Sequence, residues 1–194
     1  MEILDKCILC PRECKVNRNV GELGRCRAGG MPKIALANLH YYEEPCISGE
    51  KGSGTVFFTG CNLACKFCQN YKISQEFSGK EISVETLAEE FLRLQAEGAH
   101  NINLVTAFAY VPMIIEALKL AKDKGLKLPI VYNSSGYEAI QTLKMLDGYI
   151  DVYLPDFKYA YNDLAKELSG VDNYFEIAQT AIKEMKRQAR KSSF

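Results

Sequence analysis

The sequence predicts an α/β protein built on a parallel sheet, preceded by a small cysteine-rich module. Three observations carry this. From Thr55 onward, short apolar runs alternate with amphipathic stretches, the pattern of βα units joined by right-handed crossovers. Residues 1–50 are instead rich in Cys, Gly, Pro and charge, with little sustained periodicity, so they are read as a metal-binding module and residues 51–194 as the core. The eight cysteines fall into a set of four, a single residue and a set of three; such sets are metal or redox arithmetic rather than scatter.

Within the first fifty residues, Lys33-Ile34-Ala35-Leu36-Ala37-Asn38-Leu39 reads as a strand that pairs with its neighbours. The first strand of the alternating region is Thr55-Val56-Phe57-Phe58-Thr59, ended by Gly60. Ser83 is the N-cap of a helix over 83–97, because Val84, Leu87, Ala88, Phe91 and Leu92 recur at helical spacing and Gly98 terminates it. Ile102-Asn103-Leu104-Val105-Thr106 is a buried strand. Pro112 suits a first helical turn, Ile114, Ala117, Leu118 and Ala121 line one face, and Gly125 closes that helix. A strand at Pro129-Ile130-Val131-Tyr132, a helix over 137–146, a strand at Tyr149-Ile150-Asp151-Val152-Tyr153-Leu154 and a helix over 174–190 complete the set.

In parallel sheets ligands collect at the carboxyl ends of the strands. The segments 61–70, 106–110, 133–137 and 155–158 follow the four strands and are therefore expected to converge on one rim.

Composition narrows the function classes. A chain of 194 residues with 47% hydrophobic residues buries one sizeable core. With 24 basic and 24 acidic residues the net charge is zero, so no global field argues for nucleic acid or an anionic membrane. The basic cluster over 183–191 reads as a solvated helix face. No stretch approaches the roughly 20 apolar residues of a membrane span, and the N-terminus lacks the apolar core of a secretory signal. A cytoplasmic protein is expected, and in that compartment cysteines stay reduced rather than forming disulfides.

The sharpest signal is Cys61-x3-Cys65-x2-Cys68, placed directly after the first strand. Three thiolates can hold three irons of a 4Fe–4S cluster and leave the fourth free for a small molecule. A structural zinc site would need a fourth close Cys or His, and neither occurs from 69 to 99. A thioredoxin-like Cys65-x-x-Cys68 leaves Cys61 unexplained. His40 and His100 read as surface or core residues rather than ligands. The glycine-rich run before Thr55 lacks the Gly-Lys-Ser/Thr ending and precedes a strand, which excludes a phosphate loop.

At the N-terminus, Cys7-x2-Cys10-x3-Cys14-x11-Cys26 offers four ligands, enough for an auxiliary iron–sulfur cluster or a tetrahedral zinc site. Spacing does not choose between them; iron–sulfur is slightly preferred. Cys46 reads as a buried or spare thiol, with replacement of one of the four N-terminal ligands as the alternative.

The segment Cys61-Asn62-Leu63-Ala64-Cys65-Lys66-Phe67-Cys68 resembles the signature of the radical S-adenosylmethionine superfamily, with Phe67 as its aromatic. The likeness continues through Glu43-Glu44-Pro45-Cys46-Ile47-Ser48-Gly49, Gly52-Ser53-Gly54-Thr55, Gln69-Asn70, Asn133-Ser134-Ser135-Gly136-Tyr137 and Leu154-Pro155-Asp156-Phe157-Lys158, which together are similar to the pyruvate formate-lyase activating enzyme-like branch. The resemblance implies a partial β/α barrel, a 4Fe–4S cluster on Cys61, Cys65 and Cys68, and S-adenosyl-L-methionine as cofactor. It also implies reductive cleavage of that cofactor to a 5′-deoxyadenosyl radical for hydrogen abstraction, plausibly glycyl-radical activation of a protein or peptide, with a reduced flavodoxin- or ferredoxin-type electron donor. By the same likeness Phe67 would lie against the adenine, and Thr106, Asn133, Asp156 and Lys158 would contact the cofactor. No acid–base or nucleophilic catalytic residue is assigned.

The chain departs from the family where a Gly-Gly-Glu-like segment is usual: it reads Thr106-Ala107-Phe108-Ala109-Tyr110, with Ala109 where close relatives tend to carry histidine. Only about four of the roughly six βα units of the family core are visible, so truncation is expected. The fourth strand would then present an open edge. The alternative function is a non-catalytic iron–sulfur or zinc-binding electron-transfer protein, or an inactive truncated fragment.

Overall fold

The computed structural model describes residues 2–189. Met1 and residues 190–194, which hold the end of the last predicted helix and of the basic cluster, lie outside the described residues. Strand β1 (Lys33–His40) leads through a single-turn α1 (Pro45–Ser48) into β2 (Ser53–Phe58), and the two strands pair antiparallel. After the cysteine loop and α2 (Tyr71–Ser74), a two-residue β3 (Lys80–Glu81) pairs antiparallel with the other side of β1. Helix α3 (Val84–Ala96) then leads to β4 (Ile102–Val105), α4 (Val111–Asp123) to β5 (Ile130–Ser134), and α5 (Ile140–Met145) to β6 (Val152–Pro155). These last three strands continue from β2 in parallel, giving the order β3-β1-β2-β4-β5-β6. Helices α6 (Asn162–Ser169) and α7 (Tyr174–Ala189) follow. The architecture is a mixed α/β sheet of the partial β/α type, with β6 at one edge of the described sheet.

Strand alternation decides which face meets the helices. Val56, Phe58, Ile102, Leu104, Ile130 and Tyr132 point into one core with Leu87, Phe91 and Leu94 of α3 and Ile114, Leu118 and Ala121 of α4. Each fully buried large apolar chain contributes about 1.5–3 kcal/mol. The opposite face carries Phe57, Val105 and Asn133 in matched register, and these three line a cavity at the carboxyl ends of the strands.

Local chemistry explains the helix ends. Ser83 Oγ accepts the Thr86 N–H at 3.1 Å and starts α3, as an N-cap should. Pro112 sits in the first turn of α4, where its missing N–H costs nothing.

Three local expectations shift. The helix expected over 137–146 begins only at Ile140, because Glu138 turns inward and accepts a 2.6 Å hydrogen bond from Ser134 Oγ. The strand expected from Tyr149 begins at Val152, because the Asp151 carboxylate accepts the Ile130 N–H at 2.8 Å and occupies the strand entrance. Helix α6 was not predicted; along its length it buries only Ala165 and Ser169, too few for a readable stripe. All eight cysteines are unbridged, and Cys46 is exposed on α1. No helix among the described residues is long and apolar enough to cross a membrane.

Candidate active site

The four loops expected on one rim do converge. They enclose a cavity of about 430 Å³ whose walls include Cys61, Cys65, Phe67 and Cys68 from the loop after β2, Thr106 after β4, Asn133 at the end of β5, and Asp156 and Lys158 after β6. Every residue that the resemblance places at the radical cluster or against the cofactor therefore faces one space.

The cysteine loop is held in place from several sides. Gly60, at φ +89°, approaches the Cys26 carbonyl so closely that a Cβ there would stand 2.2 Å from its oxygen; only glycine permits this turn. Asn62 is buried and donates from Nδ2 to the Tyr137 carbonyl at 2.7 Å. The Ala64 and Lys66 N–H groups bond the Ser169 and Leu168 carbonyls at the end of α6, and Gln75 Nε2 donates to the Leu63 carbonyl at 3.0 Å.

Each sulfur of the triad has a polar neighbour. The Leu63 N–H donates to Cys61 Sγ at 3.4 Å, Ser169 Oγ donates to Cys65 Sγ at 2.9 Å, and Cys68 Sγ lies 3.1 Å from Ser74 Oγ. Burial pushes the Cys61 thiol up to about 12, and repulsion from Cys65 and Cys68 adds to it. Three thiolates cannot share this wall without a compensating cation. No three Cys, His, Asp or Glu side chains among the described residues already stand as a metal-holding set. The donor set, three cysteines on one wall of a cavity with polar groups opposite, fits a cluster with one iron left open to a small molecule.

Opposite the triad, Asn133 Nδ2 donates to Glu43 Oε2 at 3.3 Å. Glu43 is raised above the ordinary carboxylate range by burial, with Glu44 and Asp156 repelling it further. Lys158 Nζ donates to Asp156 Oδ2 at 2.5 Å, and with the Asp156 side chain 56% exposed this pair contributes little stability. Thr106 has a positive φ of 57°, the kind of backbone strain that gathers at binding sites. Phe67 is 55% exposed and offers a ring at the cavity wall. Ala109 lies elsewhere: it is buried, and its carbonyl accepts the Arg18 guanidinium at 2.7 Å.

Sequence reasoning missed four contributors. Glu43 lies in a quoted motif, yet nothing in its spacing places it against Asn133. Glu138 is buried between Tyr132 and Ser134. Ser169 reaches Cys65 across 104 positions. Tyr174 donates to the Ser135 carbonyl at 2.7 Å and accepts the Lys158 N–H at 2.9 Å, stapling the β5 and β6 loops together. None of these has a local signature; only long-range packing reveals them.

The radical SAM superfamily model matches residues 55–193 of this chain. The chain is 33% identical over 181 residues to an uncharacterized protein of Methanocaldococcus jannaschii, covering 90% of this chain and 52% of that protein. It is 26% identical over 143 residues to a pyruvate formate-lyase-activating enzyme of Clostridium pasteurianum, covering 71% of this chain and 59% of that enzyme. The chain thus spans little more than half the length of these curated relatives. A solved structure described as native anSMEcpe with bound AdoMet aligns at a TM-score of 0.48 and 18% identity, over 67% of this chain and 39% of that one. The cysteine loop at the carboxyl end of the first parallel strand lies inside the matched region, and the chain belongs to the radical SAM superfamily.

Proposed function

We propose that Cys61, Cys65 and Cys68 hold a 4Fe–4S cluster and that the adjoining cavity binds S-adenosylmethionine for reductive cleavage. The observation that carries this reading is the shared cavity itself: the three cysteines on one wall, and Thr106, Asn133, Asp156 and Lys158 on the others. Held by Cys61, Cys65 and Cys68, the cluster would supply the electron for reductive cleavage of a carbon–sulfur bond of S-adenosylmethionine, giving methionine and a 5′-deoxyadenosyl radical competent for hydrogen abstraction.

The chain's own residues bind, orient and shield. Phe67 offers an aromatic face to the adenine. Asn133 presents both an amide donor and a carbonyl acceptor, and Lys158 a charge for a carboxylate or ribose oxygen. Phe57 and Val105 add apolar area to the cavity lining.

The relative from Clostridium pasteurianum supports an activating-enzyme reading in which the hydrogen comes from a glycine of a partner protein or peptide. A reduced flavodoxin- or ferredoxin-type protein would supply the electron. The test is anaerobic reconstitution with iron and sulfide, reduction, and addition of S-adenosylmethionine. Release of 5′-deoxyadenosine, lost in Cys65→Ala, is the expected result. A cluster whose electron paramagnetic resonance spectrum ignores S-adenosylmethionine, with no 5′-deoxyadenosine formed, would overturn it in favour of a passive metal-binding role.

A further inference from the structure

The N-terminal cysteines line a second cavity, far smaller than the first. Cys7, Cys10, Cys14 and Cys26, separated by up to 19 positions, surround one small cavity capped by Leu9 and Phe108. Its volume is about 10 Å³, against about 430 Å³ beside the triad. Ten cubic ångströms is room on the order of one water or ion, whereas a cube of four irons and four sulfides needs far more.

Two sulfurs of this set are offered an N–H. The Arg18 guanidinium lies 3.8 Å from Cys7 Sγ, and the Arg25 N–H donates to Cys14 Sγ at 3.4 Å.

Arg18 supplies an independent observation. It is 2% exposed, and its other hydrogen bonds go only to the Gly29 and Ala109 carbonyls. Among the described residues it has no carboxylate partner. A buried guanidinium without a counter-charge is costly. A divalent ion on four thiolates carries a net negative charge, which this guanidinium would offset.

We propose that Cys7, Cys10, Cys14 and Cys26 bind a single tetrahedral zinc ion, and that this centre seats the loop bearing Cys61. Tetrahedral four-thiolate ligation of one ion suits zinc. The seating follows from two contacts that flank Cys61. On one side the Cys26 carbonyl packs against the Gly60 backbone. On the other, Arg12, two residues from Cys10, donates from Nε to the Asn62 carbonyl at 2.9 Å and from Nη2 to the Gly170 carbonyl at 2.8 Å. Fixing Cys10 and Cys26 on one ion fixes both supports.

The test uses the full chain carrying Cys61→Ser, Cys65→Ser and Cys68→Ser, so that only the N-terminal set can ligate and the radical-cluster reading is not involved. After exposure to zinc, and separately to iron with sulfide, metal and acid-labile sulfide are counted and the X-ray absorption edge is read. We expect about one zinc per chain in an all-sulfur shell, lost when Cys10→Ser and Cys26→Ser are added. Stoichiometric iron with labile sulfide at this set, or no stoichiometric metal, overturns the site. Should the triple variant not fold, the reconstituted wild-type chain serves: zinc beside one cluster supports the proposal, and two clusters without zinc overturn it. For the seating, hydrogen exchange over residues 60–68 is compared before and after chelation. Faster exchange there, reversed by zinc, is expected; unchanged exchange overturns the seating role.

Discussion

At the scale of single residues, three side chains separate structural from functional work. Glu138 is buried, and burial raises its carboxyl to about 7 against the hydrogen bonds from Ser134 and Tyr132 that pull it down. Its folded value lies above its unfolded one, so the folded state holds the proton more tightly. Stability is therefore greatest below about pH 4.5 as far as this group is concerned, and falls as pH rises toward 7, by up to about 3 kcal/mol. Glu138→Gln removes the titration, and its denaturant midpoint should change less between pH 5 and pH 8 than that of the wild type; equal changes would remove Glu138 as the source. Asp156 and Lys158 offer the opposite contrast. Their pair is exposed enough to contribute only about 0–1 kcal/mol, so Lys158→Met should leave the melting temperature almost unchanged. If Lys158 contacts S-adenosylmethionine, the same variant loses about tenfold or more in affinity, the loss of one charged hydrogen bond. Unchanged affinity by equilibrium binding would return Lys158 to the surface.

At the scale of elements, the site depends on how closely the ends of β5 and β6 approach. Gly136 has φ +77°, and a Cβ there would stand 2.5 Å from the Asp156 carbonyl oxygen and 3.3 Å from Tyr174 Oη. Gly136→Ala combines left-handed backbone strain of about 1–2 kcal/mol with a backbone clash that cannot be relieved by a side-chain rotation. The expected outcome is a loss of about 2 kcal/mol or more in denaturant unfolding, together with weaker binding of S-adenosylmethionine because Asp156 and Lys158 move with the loop. The capping of α3 is a control outside the cavity lining: Ser83→Ala should cost about 1 kcal/mol and leave the site's binding intact, since the Ser83 Oγ bonds to Thr86 lie within the first turn of α3.

At the scale of the whole molecule, the N-terminal cysteine segment is packed into the same core as the sheet. Leu4, Leu9, Cys10, Cys26 and Ala28 share a cluster with Val56, Leu104 and Tyr110. Thr142 Oγ1 donates to the Leu9 carbonyl across 133 positions, and Arg18 reaches Ala109 across 91. Such long-range bonds tie the N-terminal segment and the sheet core into one unit, so unfolding should be a single transition whether followed by helix content or by metal release. Two resolved transitions by these probes would show instead that the cysteine segment melts alone.

The sequence by itself determined the parallel strands, the helices with clear apolar stripes and the cysteine triad, because each depends on spacing within about twenty residues. It also placed the four rim segments in the right order, since strand ends on a parallel sheet share one side. What only the tertiary structure decided was which groups meet: Glu43 with Asn133, Ser169 with Cys65, Arg12 with the Asn62 carbonyl, and Arg18 with Cys7. Helix α6 and the inward turn at Glu138 were likewise invisible, one for want of a stripe and the other because a carboxylate was drawn into the core by partners on a neighbouring strand. The physical reason is common to all of these. Periodicity records what a segment buries, while contacts between segments are set by crossover geometry and strand register, which no local pattern of residues contains.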